Sequence, residues 1–239
     1  MMTARIASAG VIVTADGAGR TFGADARAVV ALQSVTCQIH FGDRIAIMGP
    51  SGSGKSTLLH LLAGLELPSC GSVTWPGIGS IESLRPGRVG MVFQSRSLIS
   101  SLDVTENVSL PLLLMDHPPA DARSSALGAL EQLGIADLAT KLPEELSGGQ
   151  SQRVAIARVL AQQPTLIFAD EPTGQLDRET ATTVIDTLLA AADSSDAAVV
   201  VSTHDPDVAG RFSTRWSIED GRLDVSPHPT TEEDLLCSI

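Results

Sequence analysis

The chain of 239 residues contains no tyrosine, and Phe and Trp together make up only 3% of it. That scarcity argues against a stacking platform for single-stranded nucleic acid. Basic residues are few as well: 16 Lys and Arg stand against 28 Asp and Glu, a formal charge of −12. Nucleic-acid grooves and anionic lipid surfaces both reward Lys and Arg patches, so no nucleic-acid partner is expected. The three cysteines, Cys37, Cys70 and Cys237, are odd in number and form no CxxC pair. A disulfide framework or zinc site does not fit them, and they read as buried or inert thiols. Long apolar runs are missing: residues 58–65 and 110–115 fall far short of the ~20 residues that span a bilayer. The N-terminus also lacks the basic-then-apolar layout of a signal peptide. These absences predict a soluble, cytoplasmic chain whose membrane role, if it has one, runs through a partner.

What is present is a well-supplied core, with 43% hydrophobic residues. The length fits one large domain, or a core domain carrying an inserted subdomain. Strands are expected at 11–13, 29–32, 35–39, 44–48, 73–75 and 89–93, and again at 165–169 and 197–202. Helices are expected at 55–65, 105–114, 121–133, 149–163 and 178–191. The fold class is therefore α/β: a P-loop NTPase core whose parallel sheet is flanked by helices, with an N-terminal antiparallel β region and an inserted α-helical subdomain. The expected division is 1–94 for the β region and first part of the core, 95–159 for the helical subdomain, 160–225 for the second part of the core, and 226–239 for an acidic flexible tail.

The clearest chemical motif is Gly49-Pro50-Ser51-Gly52-Ser53-Gly54-Lys55-Ser56-Thr57. Its glycines let consecutive backbone N–H groups point at phosphate oxygens, and the following helix adds its positive end. Lys55 brings a cation to the β- and γ-phosphates, and Ser56 offers a hydroxyl to Mg²⁺. A second site follows an apolar strand that ends in paired acids, Asp170 and Glu171. Asp170 is expected at a sheet edge beside the cradle, where it can orient Mg²⁺. Glu171 faces differently and can act as general base toward an attacking water. A third motif is Leu146-Ser147-Gly148-Gly149-Gln150, a diglycine turn that opens a helix and so aims backbone donors at an anion.

With these three motifs, and with Gln152-Arg153-Val154-Ala155-Ile156-Ala157-Arg158 continuing the last, the chain resembles the ATP-binding subunits of ABC transporters over about residues 20 to 225. The resemblance implies an ATPase with ATP and Mg²⁺ as cofactors. In that family Ser147, Gly148, Gly149 and Gln150 of one subunit would close on the nucleotide held by a second subunit. The resemblance further makes Gln94 a sensor of Mg²⁺ and water, Asp177 a residue that communicates across the dimer, and His204 the switch histidine on the γ-phosphate. Phe22 lies where the family has an aromatic that stacks on adenine, although a core or surface Phe is the competing reading. Residues 104–112 and 171–177 resemble the branch serving lipoprotein release, macrolide export and cell-division permeases. One departure is that the run from Gly71 to Phe93 is shorter than usual there by roughly ten residues.

The partners implied are an integral-membrane permease and a second copy of this chain or a paralogous ATPase subunit. The implied place is the inner face of the cell membrane. The competing function is that of a soluble ABC ATPase in cofactor assembly or in DNA- or translation-linked work. A GTPase or small-molecule kinase has less behind it: Asp207-Val208-Ala209-Gly210 fits a DxxG pattern, but no NKxD motif follows, and the Leu146–Gln150 motif would be left without a purpose.

Overall fold

The computed structural model describes residues 10–94 and 97–225. The expected tail at 226–239, with Cys237, lies outside the described residues. Two sheets are formed among the described residues. In the antiparallel one, β1 (Val11–Phe22) runs between β2 (Val29–His40) and β4 (Cys70–Thr74). The second contains β3 (Arg44–Met48), β5 (Val89–Val92), β6 (Leu166–Asp170), β7 (Ala198–Thr203), β8 (Thr214–Glu219) and β9 (Arg222–Asp224). Its order is β5-β6-β7-β3-β8-β9. The first five strands are parallel, and β9 folds back antiparallel on β8.

Strict alternation along these strands divides the core in two. Ala46, Ile167, Ala169, Val199 and Val201 join one cluster, together with Val108, Leu130, Val154, Ile156 and Leu188 from helices. Ile45, Ile47, Leu166, Phe168, Ala198 and Val200 face the other side, onto Leu58, Leu59 and Leu62 and the antiparallel sheet. Both faces of the sheet are thus covered, which is why its strands read as continuous apolar runs.

Six helices are described: α1 (Lys55–Leu62), α2 (Val104–Leu114), α3 (Pro119–Gln132), α4 (Gly148–Leu160), α5 (Arg178–Ser195) and α6 (Pro206–Ala209). Four of them start on a side chain that accepts a bond from a first-turn N–H, α6 through Asp205, which accepts from Asp207 N at 2.8 Å. Asp103 accepts from Glu106 N at 2.7 Å, Ser147 from Gln150 N at 3.2 Å, and Asp177 from Thr180 N at 3.0 Å. From the last turn of α4, Arg158 donates to Ser97 O at 2.8 Å and Ser97 Oγ at 2.6 Å, which ties this helix to the chain at Ser97. Burial holds the Arg158 guanidinium below its ordinary value.

Several expectations need correction. The strand expected at 11–13 is twelve residues long, and 29–32 and 35–39 are one strand. β1 is interrupted by register shifts around Gly17 and Gly19, so it shows no clean two-residue period. β8, β9 and α6 were not expected at all. The sheet is not purely parallel, because the Asp220–Gly221 turn reverses the chain onto β9. Asp170 ends β6, which lies between β5 and β7, so it sits at the end of an interior strand and not on a sheet edge. Cys37 is buried, and desolvation pushes its thiol up to about 12, whereas Cys70 is exposed.

Candidate functional site

The cradle forms because β3 delivers its chain into a loop that must turn sharply before α1. Gly54 makes that turn at φ +108, and a Cβ there would lie 2.5 Å from the Ala31 carbonyl oxygen. Only glycine satisfies both the backbone angle and that close approach. By contrast, nothing lies within 4 Å of the place a Cβ on Gly52 would take, so this side of the loop is open. The open side belongs to a cavity of about 180 Å³ whose walls include Ser51, Gly52, Lys55, Ser56, Gln94 and Glu171.

Lys55 is only 5% exposed, so its ammonium needs compensation. It donates to Gly49 O at 2.8 Å and Pro50 O at 3.0 Å, and lies 3.8 Å from Glu171 Oε1. A buried cation beside an open glycine-rich loop suits a polyphosphate. A larger cavity of about 530 Å³ opens at β8 and β9, walled by Gln33, Glu219, Asp220 and Arg222. Its acidic wall repels such an anion, and it contains none of the cradle residues.

The two acids separate at the end of β6. Asp170 is 4% exposed, and its Oδ1 accepts from Ser202 Oγ at 2.5 Å. Glu171 leaves the strand at φ +44, a left-handed conformation that costs a non-glycine residue about 1–3 kcal/mol. Its N–H is held by two oxygens of one residue, Ser202 Oγ at 2.9 Å and Ser202 O at 3.1 Å. The turn carries the Glu171 side chain into the cavity. There Oε2 accepts from Gln94 Nε2 at 3.2 Å and lies 3.4 Å from His204 Nδ1. Lys55, Gln94, Glu171 and His204, drawn from four separate stretches of chain, therefore meet at one carboxylate.

The oxygen-bearing groups nearby, a Ser56 hydroxyl, the Asp170 carboxylate and the Gln94 amide, have the chemistry that a small hard divalent cation takes. Such an ion is commonly held by one or two carboxylates with substrate phosphates supplying the rest.

Other expected residues lie elsewhere. Ser147 caps α4, with Gln150 Oε1 accepting from Ser147 N at 2.9 Å in return. A Cβ on Gly148 would meet Gln175 Oε1 at 2.4 Å, and one on Gly149 would meet Leu176 Cδ2 at 2.9 Å, so both glycines are packed under the 174–177 turn. None of Ser147–Gln150 lines the cradle cavity of its own chain. Asp177 spends its carboxylate on capping α5. Phe22 ends β1 and is 40% exposed, and the Arg20 guanidinium sits 4.7 Å over its ring, held by Glu66 at 2.6 Å. Phe22 does not line the cavity.

Sequence reasoning missed Ser202. The available signal was a hydroxyl on a strand otherwise wholly apolar from Ala198 to Val201, two residues before His204.

Comparison with known proteins then places this geometry among relatives. The family described as ABC transporter matches residues 32–174. The chain is similar to the lipoprotein-releasing system ATP-binding protein LolD of Legionella pneumophila (strain Lens), 41% identical over 220 residues, covering 89% of this chain and 97% of that protein. The LolD protein of Pseudomonas fluorescens is 40% identical over 212 residues, covering 86% and 93%. Among solved structures, the dimeric ATP-binding cassette MJ0796 in a post-hydrolysis state bound to ADP and Pi superposes with a TM-score of 0.84 at 35% identity, covering 89% of this chain and 97% of that one. The cbiO1 subunit of Clostridium perfringens, part of the cbiONQ transporter complex, gives 0.77 at 28% identity, covering 95% and 91%.

Proposed function

The chain belongs to the ABC transporter family as an ATP-binding subunit with ATPase activity, and from that premise we propose that it hydrolyses ATP at the Lys55–Glu171 cluster to drive a separate membrane permease of the lipoprotein-releasing kind. The observation that carries the reading is the Glu171 carboxylate, aimed into the cradle cavity and contacted by Lys55, Gln94 and His204.

The amides of Gly49 to Thr57, with Pro50, Ser51 and Ser53 shaping the loop, bind the phosphates, and Lys55 exchanges its two carbonyl partners for phosphate oxygens. Ser56, Gln94 and Asp170 would hold Mg²⁺, which supplies neutralisation of the charge on the β- and γ-phosphate oxygens. Glu171 orients a water toward the γ-phosphorus and takes its proton as the oxygen attacks, while ADP leaves on the opposite side. His204 holds the γ-phosphate edge of the site, and Gln94 reports its state to the segment that carries α2, α3 and α4.

Two copies, or this chain and a paralogue, close head to tail. The Ser147-Gly148-Gly149-Gln150 turn of each then meets the nucleotide of the other, and Asp177 lies at the seam. That the turn lies outside its own cradle cavity, at a helix start with donors to spare, supports this arrangement. Phe22, backed by Arg20, is the candidate for stacking on adenine. No described helix is long and apolar enough to cross a membrane, which suits a subunit docked on the inner face through its permease.

The test is Glu171→Gln, which removes the base and keeps the shape. It is expected to bind ATP, lose turnover by about 100-fold or more, and accumulate as an ATP-bound dimer. Near-normal turnover in that variant would remove the assignment. Co-purification with a soluble assembly partner in place of a multi-span membrane protein would remove the permease.

A further inference from the structure

Ser202 carries no role in the reading above, yet one hydroxyl of this residue touches both acids of the site. We propose that Ser202 is a positioning residue that sets the metal-side acid and the base together: its hydroxyl donates to Asp170 Oδ1 while it accepts the N–H of Glu171. This rests on the ATPase reading of the same site.

Three observations converge on it. Ser202 is 0% exposed, at a position where β7 is otherwise Ala and Val from 198 to 201. A hydroxyl there is costly unless fully bonded, and an apolar residue would serve the core better if packing were its only task. Second, Asp170 and Ser202 are direct partners in the β6–β7 ladder, so the contact is fixed by strand register and not by a mobile loop. With Oδ1 held, the Asp170 carboxylate cannot rotate freely, and its other oxygen keeps one direction. Third, Glu171 sits at φ +44, a backbone state that persists only where surrounding bonds over-determine it. Its N–H points between the carbonyl and hydroxyl oxygens of Ser202. The same hydroxyl that orients one acid therefore helps to turn the next out of the strand toward Gln94 and His204.

The two consequences differ in size. Removing the hydroxyl takes the Ser202 donor away from Asp170 Oδ1, whereas Glu171 N–H keeps the Ser202 carbonyl. The larger defect is expected on the Mg²⁺ side, which distinguishes positioning from a general loss of fold.

The experiment compares S202A and S202T with the wild type, each alone and combined with E171Q. Titration calorimetry measures ATP affinity in Mg²⁺ and in EDTA, turnover is followed against Mg²⁺ concentration, and thermal melts report the fold. S202A is expected to match wild type for ATP in EDTA but to lose about tenfold of the affinity gained on adding Mg²⁺. Its half-maximal Mg²⁺ concentration should rise by a similar factor, and turnover should fall about tenfold at saturation. S202T, which keeps the hydroxyl, should restore all three to within about threefold. If S202A does not fold, S202C takes its place, since a thiol is a weak donor and predicts the same direction. The proposal is overturned if S202A or S202C keeps the Mg²⁺ gain and turnover within about twofold. It is equally overturned if S202T is as impaired as S202A at equal melting temperature. The two readings fail separately: an intact wild type beside an unimpaired S202A refutes Ser202 alone, whereas a wild type that gains nothing from Mg²⁺ refutes the ATPase site and this proposal with it.

Discussion

Asn107 offers the sharpest test of how the segment after Gln94 is held. It is fully buried on α2, and its side chain makes four bonds, all to backbone of residues 99–103. Oδ1 accepts from Ile99 N at 2.8 Å, and Nδ2 donates to Ile99 O at 3.0 Å, Leu102 O at 2.9 Å and Asp103 O at 3.1 Å. Two of those carbonyls have other partners, since Ile99 O accepts from Leu102 N and Asp103 O from Asn107 N. Asn107→Ala therefore orphans chiefly the Ile99 N–H and the Leu102 carbonyl, on a partly buried segment beside a fully buried side chain. At about 1–3 kcal/mol for each unsatisfied group, and toward the lower end where the segment is partly exposed, the expected loss is about 2–3 kcal/mol. For a chain of this size that corresponds to a fall in melting temperature of roughly 7 °C. Asn107→Asp keeps the acceptor for Ile99 but turns an acceptor oxygen toward three carbonyls, so it should do no better at neutral pH and should recover partly in acid, where a protonated carboxyl can donate. Thermal unfolding followed by circular dichroism at pH 7 and pH 4 reads both effects. A shift below about 3 °C for Asn107→Ala, or an Asn107→Asp variant as stable as wild type at pH 7, would refute the reasoning.

Two further outcomes follow from the same structure. Gly148→Asp places its new side chain against the mobile end of Gln175, so the melting temperature should stay close to wild type. ATP binding by the single chain should also persist, while turnover falls about 100-fold because a carboxylate replaces a donor surface facing phosphate, as nucleotide-binding and phosphate-release assays would show. For Asp177, bonds from Thr180 N and Thr180 Oγ1 hold the carboxyl below its ordinary value of 3.8. A depressed acid stabilises the fold above that value and loses its contribution as pH falls through the folded one. The stability gap between wild type and Asp177→Ala should therefore be full at pH 7 and close below about pH 3.8, as acid-unfolding curves would reveal.

Contiguous motifs were legible from sequence because their physics is local. The Gly49–Thr57 run needs only its own backbone angles and the helix that follows, and the Ser147–Gln150 cap is closed by residues three apart. α2 was equally readable even with Pro111 inside it, since the Asp103 and Glu106 box starts it cleanly. Strands with irregular pairing were not: β1 hides behind Gly17 and Gly19, and β9 is three residues long. What tertiary structure alone decided was which distant residues meet. Parallel pairing of β6 with β7 set Ser202 opposite Asp170, and the left-handed turn at Glu171 sent that carboxylate to Lys55, Gln94 and His204. Sequence names each of these side chains and its chemistry, but register and one backbone angle determine their separations, and both are properties of the packed sheet.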